Sequence, residues 1–203
     1  MIFLTAVTRY RLGPTTVYQL ENYVVNELFQ YYRTDPRFQV SHILDFTSPL
    51  PKVTSSAEQV RWVILNSRRL VPTRNARAGR TSPARSALVK ATINGEAWFG
   101  EILELFLHSQ NIGNPMTFAY VRWMVEYTVD GQLGVPTTSD YWDDYLDQLH
   151  VNTFVFNRYH GNSTHDPPQV IPIDWIDCQI ARMHWPMQEV WMTITLDRHG
   201  ITA

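Results

Sequence analysis

The stretch Ser86-Ala87-Leu88-Val89-Lys90-Ala91-Thr92-Ile93-Asn94-Gly95-Glu96-Ala97-Trp98-Phe99-Gly100-Glu101-Ile102-Leu103-Glu104-Leu105-Phe106-Leu107 decides the fold. Asn94-Gly95 is the favoured pair for a two-residue type I′ hairpin, because both residues tolerate positive φ. The flanking runs 86–93 and 96–107 are rich in aliphatic, aromatic and β-branched residues and predict two antiparallel strands. Residues 117–129 predict a third. There Phe118, Tyr120, Arg122, Met124 and Glu126 alternate with Ala119, Val121, Trp123, Val125 and Tyr127, and Asp130-Gly131 closes the run.

Toward the C-terminus, residues 151–156, 170–173 and 190–196 predict further strands, and 174–183 continues the module after a polar loop at 157–168. Residues 139–149 read as a short acidic helix or an ordered loop. The economical architecture is mainly β (α+β): a small, partly open antiparallel β barrel with an N-terminal helix.

That helix is expected over 14–33. Val17, Leu20, Val24, Leu28 and Tyr31 recur at helical spacing, Pro14 suits a first turn, and Asp35-Pro36 stops the run. Residues 38–46 and 60–65 read as short strands around the turn Thr47-Ser48-Pro49-Leu50-Pro51, with a helix over 57–66 as the alternative. Residues 70–83 are polar, Arg-rich and broken by Pro72, Gly79 and Pro83, so they read as a loop. The chain therefore divides into an N-terminal extension, 1–83, and a β module, 84–203.

Composition narrows the function classes. A hydrophobic share of 44% and an aromatic share of 13% in 203 residues supply a core and exclude a disordered chain. No apolar run approaches the ~18 residues that span a bilayer, and residues 1–7 are too short and lack the basic flank of a signal peptide. The single cysteine, Cys178, has apolar flanks, reads as a buried thiol and suits a reducing compartment.

The formal charge of −2 conceals an asymmetry. Residues 61–90 hold Arg61, Arg68, Arg69, Arg74, Arg77, Arg80, Arg85 and Lys90 and no acid, whereas 123–157 hold six acids and no base. The arginines Arg68, Arg69, Arg74, Arg77, Arg80 and Arg85 read either as a solvated loop or as phosphate contacts for DNA or RNA. No aromatic residue interleaves them to stack on bases.

Catalytic signatures are absent from the sequence: no phosphate-cradling glycine loop, nucleophile elbow, His-Glu-x-x-His or paired-cysteine zinc spacing occurs. His160, His165 and Asp166, with His184, form the best metal grouping but follow no tight spacing rule. The aromatic residues Trp98, Tyr120, Trp123, Trp142 and Tyr159 fall on or beside strand ends. They read either as core or as a pocket for a cationic group.

Three blocks now stand in order: Ser86-Ala87-Leu88-Val89-Lys90, then Trp98-Phe99-Gly100-Glu101-Ile102-Leu103-Glu104-Leu105-Phe106, then Tyr120-Val121-Arg122-Trp123. Thr153-Phe154-Val155-Phe156 and the closing run from Val170 through Asp174-Trp175-Ile176-Asp177-Cys178 to Ile180 follow. Over roughly half its length the chain resembles the bromo-adjacent homology (BAH) domain. It is also similar to domains encoded in mobile elements of mushroom-forming fungi.

The resemblance implies a non-enzymatic, cofactor-free, nuclear interaction module of a chromatin or transposon-associated protein. It implies a histone tail or other basic segment as partner, with an aromatic cage for methylated lysine. By position, Trp98 and Trp123 would be two cage walls, Phe156 or Tyr159 a third, and Glu126 a nearby carboxylate. The acidic residues Asp140, Asp143, Asp144 and Asp147 would supply a face for the basic peptide.

Overall fold

A computed structural model describes residues 10–75, 85–110, 114–129, 132–133, 151–161, 163 and 166–196. The chain is mainly β, with one α-helix among the described residues. Its N-terminal part contains β1 (Tyr10–Leu12), β2 (Thr15–Gln19), α1 (Asn22–Thr34), β3 (Ser56–Val60), β4 (Val63–Leu65) and β5 (Arg68–Leu70). Next come β6 (Leu88–Ile93), β7 (Glu96–His108), β8 (Met116–Glu126), β9 (Thr128–Val129) and β10 (Gln132–Leu133). The last described strands are β11 (Asn152–Tyr159), β12 (Val170–Pro172), β13 (Ile176–Trp185) and β14 (Val190–Thr195).

The Asn94-Gly95 hairpin forms as read. Ile93 pairs with Glu96, and the two turn residues take φ of 53° and 88°. The third strand pairs with β7 over Gly100↔Trp123 to His108↔Met116, with a register shift between Ile102 and Glu104. β9 and β10 form the small hairpin around the Asp130-Gly131 signal.

Six strands pair in a closed ring: β7 with β8, β8 with β11, β11 with β14, β14 with β13, β13 with β6, and β6 with β7. Each of these strands contributes one residue to a single buried cluster: Leu88, Phe99, Met124, Phe154, Trp191 and Ile180. That cluster identifies the inward face.

The outward face of β6–β8 carries a second cluster. Val89, Ala91, Ile102, Val121 and Trp123 pack there with Val63, Leu65 and Leu70 of the separate β1–β4–β5 sheet. A third cluster joins Val24, Val25, Leu28 and Tyr32 of α1 to Phe106 and Phe118. Residues of the expected extension thus share cores with the module, and β3 pairs directly with β7 across Glu58↔Leu107.

Two readings of the N-terminal part change. Residues 15–19 belong to a strand and not to the helix, because Thr15, Thr16 and Val17 pair with Val60, Gln59 and Glu58 of β3. The helix ends at Thr34 as expected, where the Asp35 N–H reaches the Tyr32 carbonyl and the Asp35 carboxylate holds Arg37.

Residues 38–46 form no strand beyond an isolated bridge at Ser41. Asp45 turns the chain there, its Oδ1 accepting from the Thr47 and Ser48 N–H groups. The 57–66 segment resolves as strands, not helix, and β11 runs on to Tyr159, three residues further than expected.

Candidate functional site

The inward face of the ring holds a buried group of charges. Glu101 is fully buried at the middle of β7 and lies across the ladder from Arg122. Alternation alone places both side chains inward, opposite Gly100 and Trp123.

Glu101 Oε2 accepts from Arg122 Nη2 at 2.8 Å and Nε at 3.2 Å, and from the Tyr159 hydroxyl at 3.0 Å. Glu101 Oε1 accepts from Thr73 Oγ1 at 2.9 Å. Arg182 Nη1, from β13, stands 4.0 Å from the same Oε2 and 3.4 Å from Tyr159 Oη. Burial alone would raise the Glu101 carboxyl. The Arg122 hydrogen bond and charge, helped by the Thr73 and Tyr159 hydroxyls, outweigh burial and hold it below the usual carboxylate range. Burial above all, with Glu101 alongside, pushes the Tyr159 phenol up.

Aromatic rings line this group. The Arg122 guanidinium lies 4.1 Å from the Tyr159 ring centroid and that of Arg182 lies 3.9 Å from Trp191. Toward one rim, Phe156 stacks on His184 at 3.9 Å and meets Trp191 edge-on at 5.4 Å.

The five aromatic-cage residues do not assemble. Trp98 pairs with Ala91 and Trp123 with Gly100, so both face outward. Phe156, Tyr159 and Glu126 belong to the opposite, inward face, where Glu126 is exposed and pairs with Phe154. Trp123 is also completely buried, with its indole N–H donating to the Pro168 carbonyl at 2.9 Å. It is a core residue and not a cage wall. Trp98 is half-buried and meets His160 edge-on at 5.4 Å.

The acidic residues Asp140, Asp143, Asp144 and Asp147 lie outside the described residues, as do Arg77, Arg80 and the side chain of Arg85. The three remaining arginines are engaged. Arg68 Nη2 donates to the Leu196 carbonyl at 2.7 Å, and Arg69 stacks on Trp62 while staying exposed. Arg74 bonds Glu104, Glu21 at 3.3 Å and Tyr23 Oη at 2.8 Å, which fastens the start of the Arg-rich segment to β7 and α1.

Of the histidine grouping, two members meet. His160 Nδ1 pairs with Asp166 at 2.9 Å, His184 stacks on Phe156, and His165 lies outside the described residues. No group of three or more metal-ligating side chains occurs among the described residues. Cys178 is buried, as its flanks imply. No helix of the described residues is long and apolar enough to cross a membrane.

Sequence reading singled out neither Glu101 nor Arg182. The signal for Glu101 was a charged residue at an inward position opposite Arg122 in a well-patterned hairpin. Arg182 had no such signal, because its face depends on a register shift between Ile176 and Cys178. Compared with family models, curated proteins and solved structures, the chain matches none.

Proposed function

We propose that this chain is a non-catalytic interaction module of the BAH-like β-barrel type. We place it in a transposon or chromatin-associated protein of the nucleus, with a basic peptide segment such as a histone tail as its partner. The observation that carries this reading is the closed ring of pairings, in which the three resembling blocks serve as the consecutive strands β6, β7 and β8.

Two further observations support it. The strongest acid–base grouping, Glu101 with Arg122, Arg182 and Tyr159, is bound up in internal contacts, an arrangement suited to structure more than to proton transfer. The acidic stretch between β10 and β11 carries Asp140, Asp143, Asp144 and Asp147 and suits a basic partner electrostatically. Because Trp123 is closed into the core, half-buried Trp98 beside His160 is the cage tryptophan left for that partner.

The test is an array of histone-tail peptides, unmodified and modified, probed with the wild-type chain. Binding that weakens in a variant with Asp143→Asn and Asp144→Asn, and in Trp98→Ala, supports the reading. No binding to any basic peptide overturns it. A parallel salt titration with DNA and RNA addresses nucleic-acid binding through the arginine segment. A steep salt slope that Arg77→Glu with Arg80→Glu flattens would favour that alternative.

A further inference from the structure

We infer that the inward face of the ring, between Arg182 and the Phe156–His184 rim, is a binding site for a monoanionic carboxylate carried on an apolar group. This inference is independent of the basic-peptide reading.

It starts from charge. Two guanidiniums, Arg122 and Arg182, share one carboxylate, Glu101, leaving one formal positive charge in this group of three. The Arg182 side chain is only 8% exposed. An arginine carries five N–H donors, and a buried guanidinium is costly unless they are satisfied. Among the described residues, hydrogen-bond acceptors lie in reach only of Nη1: Tyr159 Oη at 3.4 Å and the Met124 sulfur at 3.9 Å. Nε and Nη2 have no protein acceptor among them and are not closed off from solvent, so they remain open to a ligand. Trp191 covers one face of the guanidinium and leaves its donor edge available.

The surroundings select the ligand. A single excess positive charge balances a monoanion, whereas a phosphate dianion would bring a second negative charge close to Glu101. A planar carboxylate fits the guanidinium fork. Trp191, Phe156 and Met124 supply apolar contact for the group that bears it. Entry is through the rim, where Phe156 is 36% exposed. The charged and titratable groups at this rim include His184 and Glu189, 3.6 Å apart, and the exposed Glu126 beside Phe154, and none of the three forms an ion pair with Arg182.

The experiment titrates the whole chain with sodium benzoate at constant ionic strength, using acetate, inorganic phosphate and neutral benzamide as comparison probes. The readouts are Tm and the side-chain Nε–Hε resonances of the arginines in 15N spectra. Benzoate should raise Tm saturably and shift the Arg182 resonance, with acetate weaker and benzamide silent. Arg182→Gln should bind benzoate about tenfold or more weakly, the loss of one charge-assisted contact. Because the wild-type spectra report directly, the test survives a variant that fails to fold. The inference is overturned if benzamide acts as benzoate does, if phosphate binds more tightly, or if the Arg182 resonance stays put at saturating benzoate.

Discussion

Glu101 and Arg122 face each other across the β7–β8 ladder, and their 2.8 Å ion pair sits on the inward face of a closed ring of strands. Removing the carboxylate's charge leaves Arg122 and the nearly buried Arg182 uncompensated. Glu101→Gln should therefore lower stability by about 3 kcal/mol, read as a drop in the denaturant midpoint with unchanged slope. A loss below the measurement error would show that solvent at the rim already compensates the two guanidiniums.

The same pair sets an acid limit. Since the folded Glu101 carboxyl lies below its unfolded value of about 4.3, it contributes stability that is fully present above that pH and lost as pH falls through the folded value. Wild-type Tm should fall steeply below about pH 4.5, and Glu101→Gln should show a shallower fall over the same window.

His108 sets a second, milder limit. Its Nε2 stands 3.0 Å from the Thr54 carbonyl, which can only accept, so Nε2 carries the proton and Nδ1 accepts from the Tyr32 hydroxyl at 2.8 Å. Burial holds the imidazole below its ordinary value and outweighs the opposing Thr54 hydrogen bond. The neutral form is thus the folded one, and stability is present above about pH 6.5 and lost as pH falls below it. Thermal melts from about pH 8 to about pH 5 should show a decline that His108→Gln flattens, at the cost of a lower Tm throughout.

Two tryptophans separate core from surface. Trp123→Ala removes a fully buried indole and its bond to Pro168 and should cost about 4 kcal/mol. Trp98→Ala, at a half-buried site, should cost about 1 kcal/mol and leave the fold intact. Chemical denaturation of both variants checks this, and equal losses would contradict the assignment of Trp123 to the core.

Gly100 lies under that same indole. A Cβ there would come within 2.7 Å of the Arg122 carbonyl, of Trp123 Cε3 and of a Val121 methyl. Gly100→Ala should destabilise by about 2 kcal/mol through overpacking, without any change in the hairpin turn. Near-ultraviolet circular dichroism of Trp123 with a denaturant titration would report both effects.

Local signals in this chain read well where one or two residues settle the backbone. Asn94-Gly95 specified the hairpin because few pairs tolerate consecutive positive φ, and Asp35-Pro36 ended the helix because proline bars the α region before it. The alternation in β8 marked a strand, and the apolar flanks of Cys178 marked a buried thiol.

What the sequence by itself determined, then, is a mainly β chain with its turns and several strand spans. Which strands close the ring, and which side chains meet across its inward face, came only with the tertiary structure. Register shifts between Ile102 and Glu104, Phe154 and Tyr159, and Ile176 and Cys178 break simple alternation. The shift in β11 brings Tyr159, at odd spacing, to the same face as Phe154. Pairing with β3 likewise made 15–19 a strand against its helical spacing, since long-range hydrogen bonds outweigh a weak local preference. Arg182 reaches the Glu101–Arg122 pair from β13, far along the chain, so no local pattern could announce its part in the group.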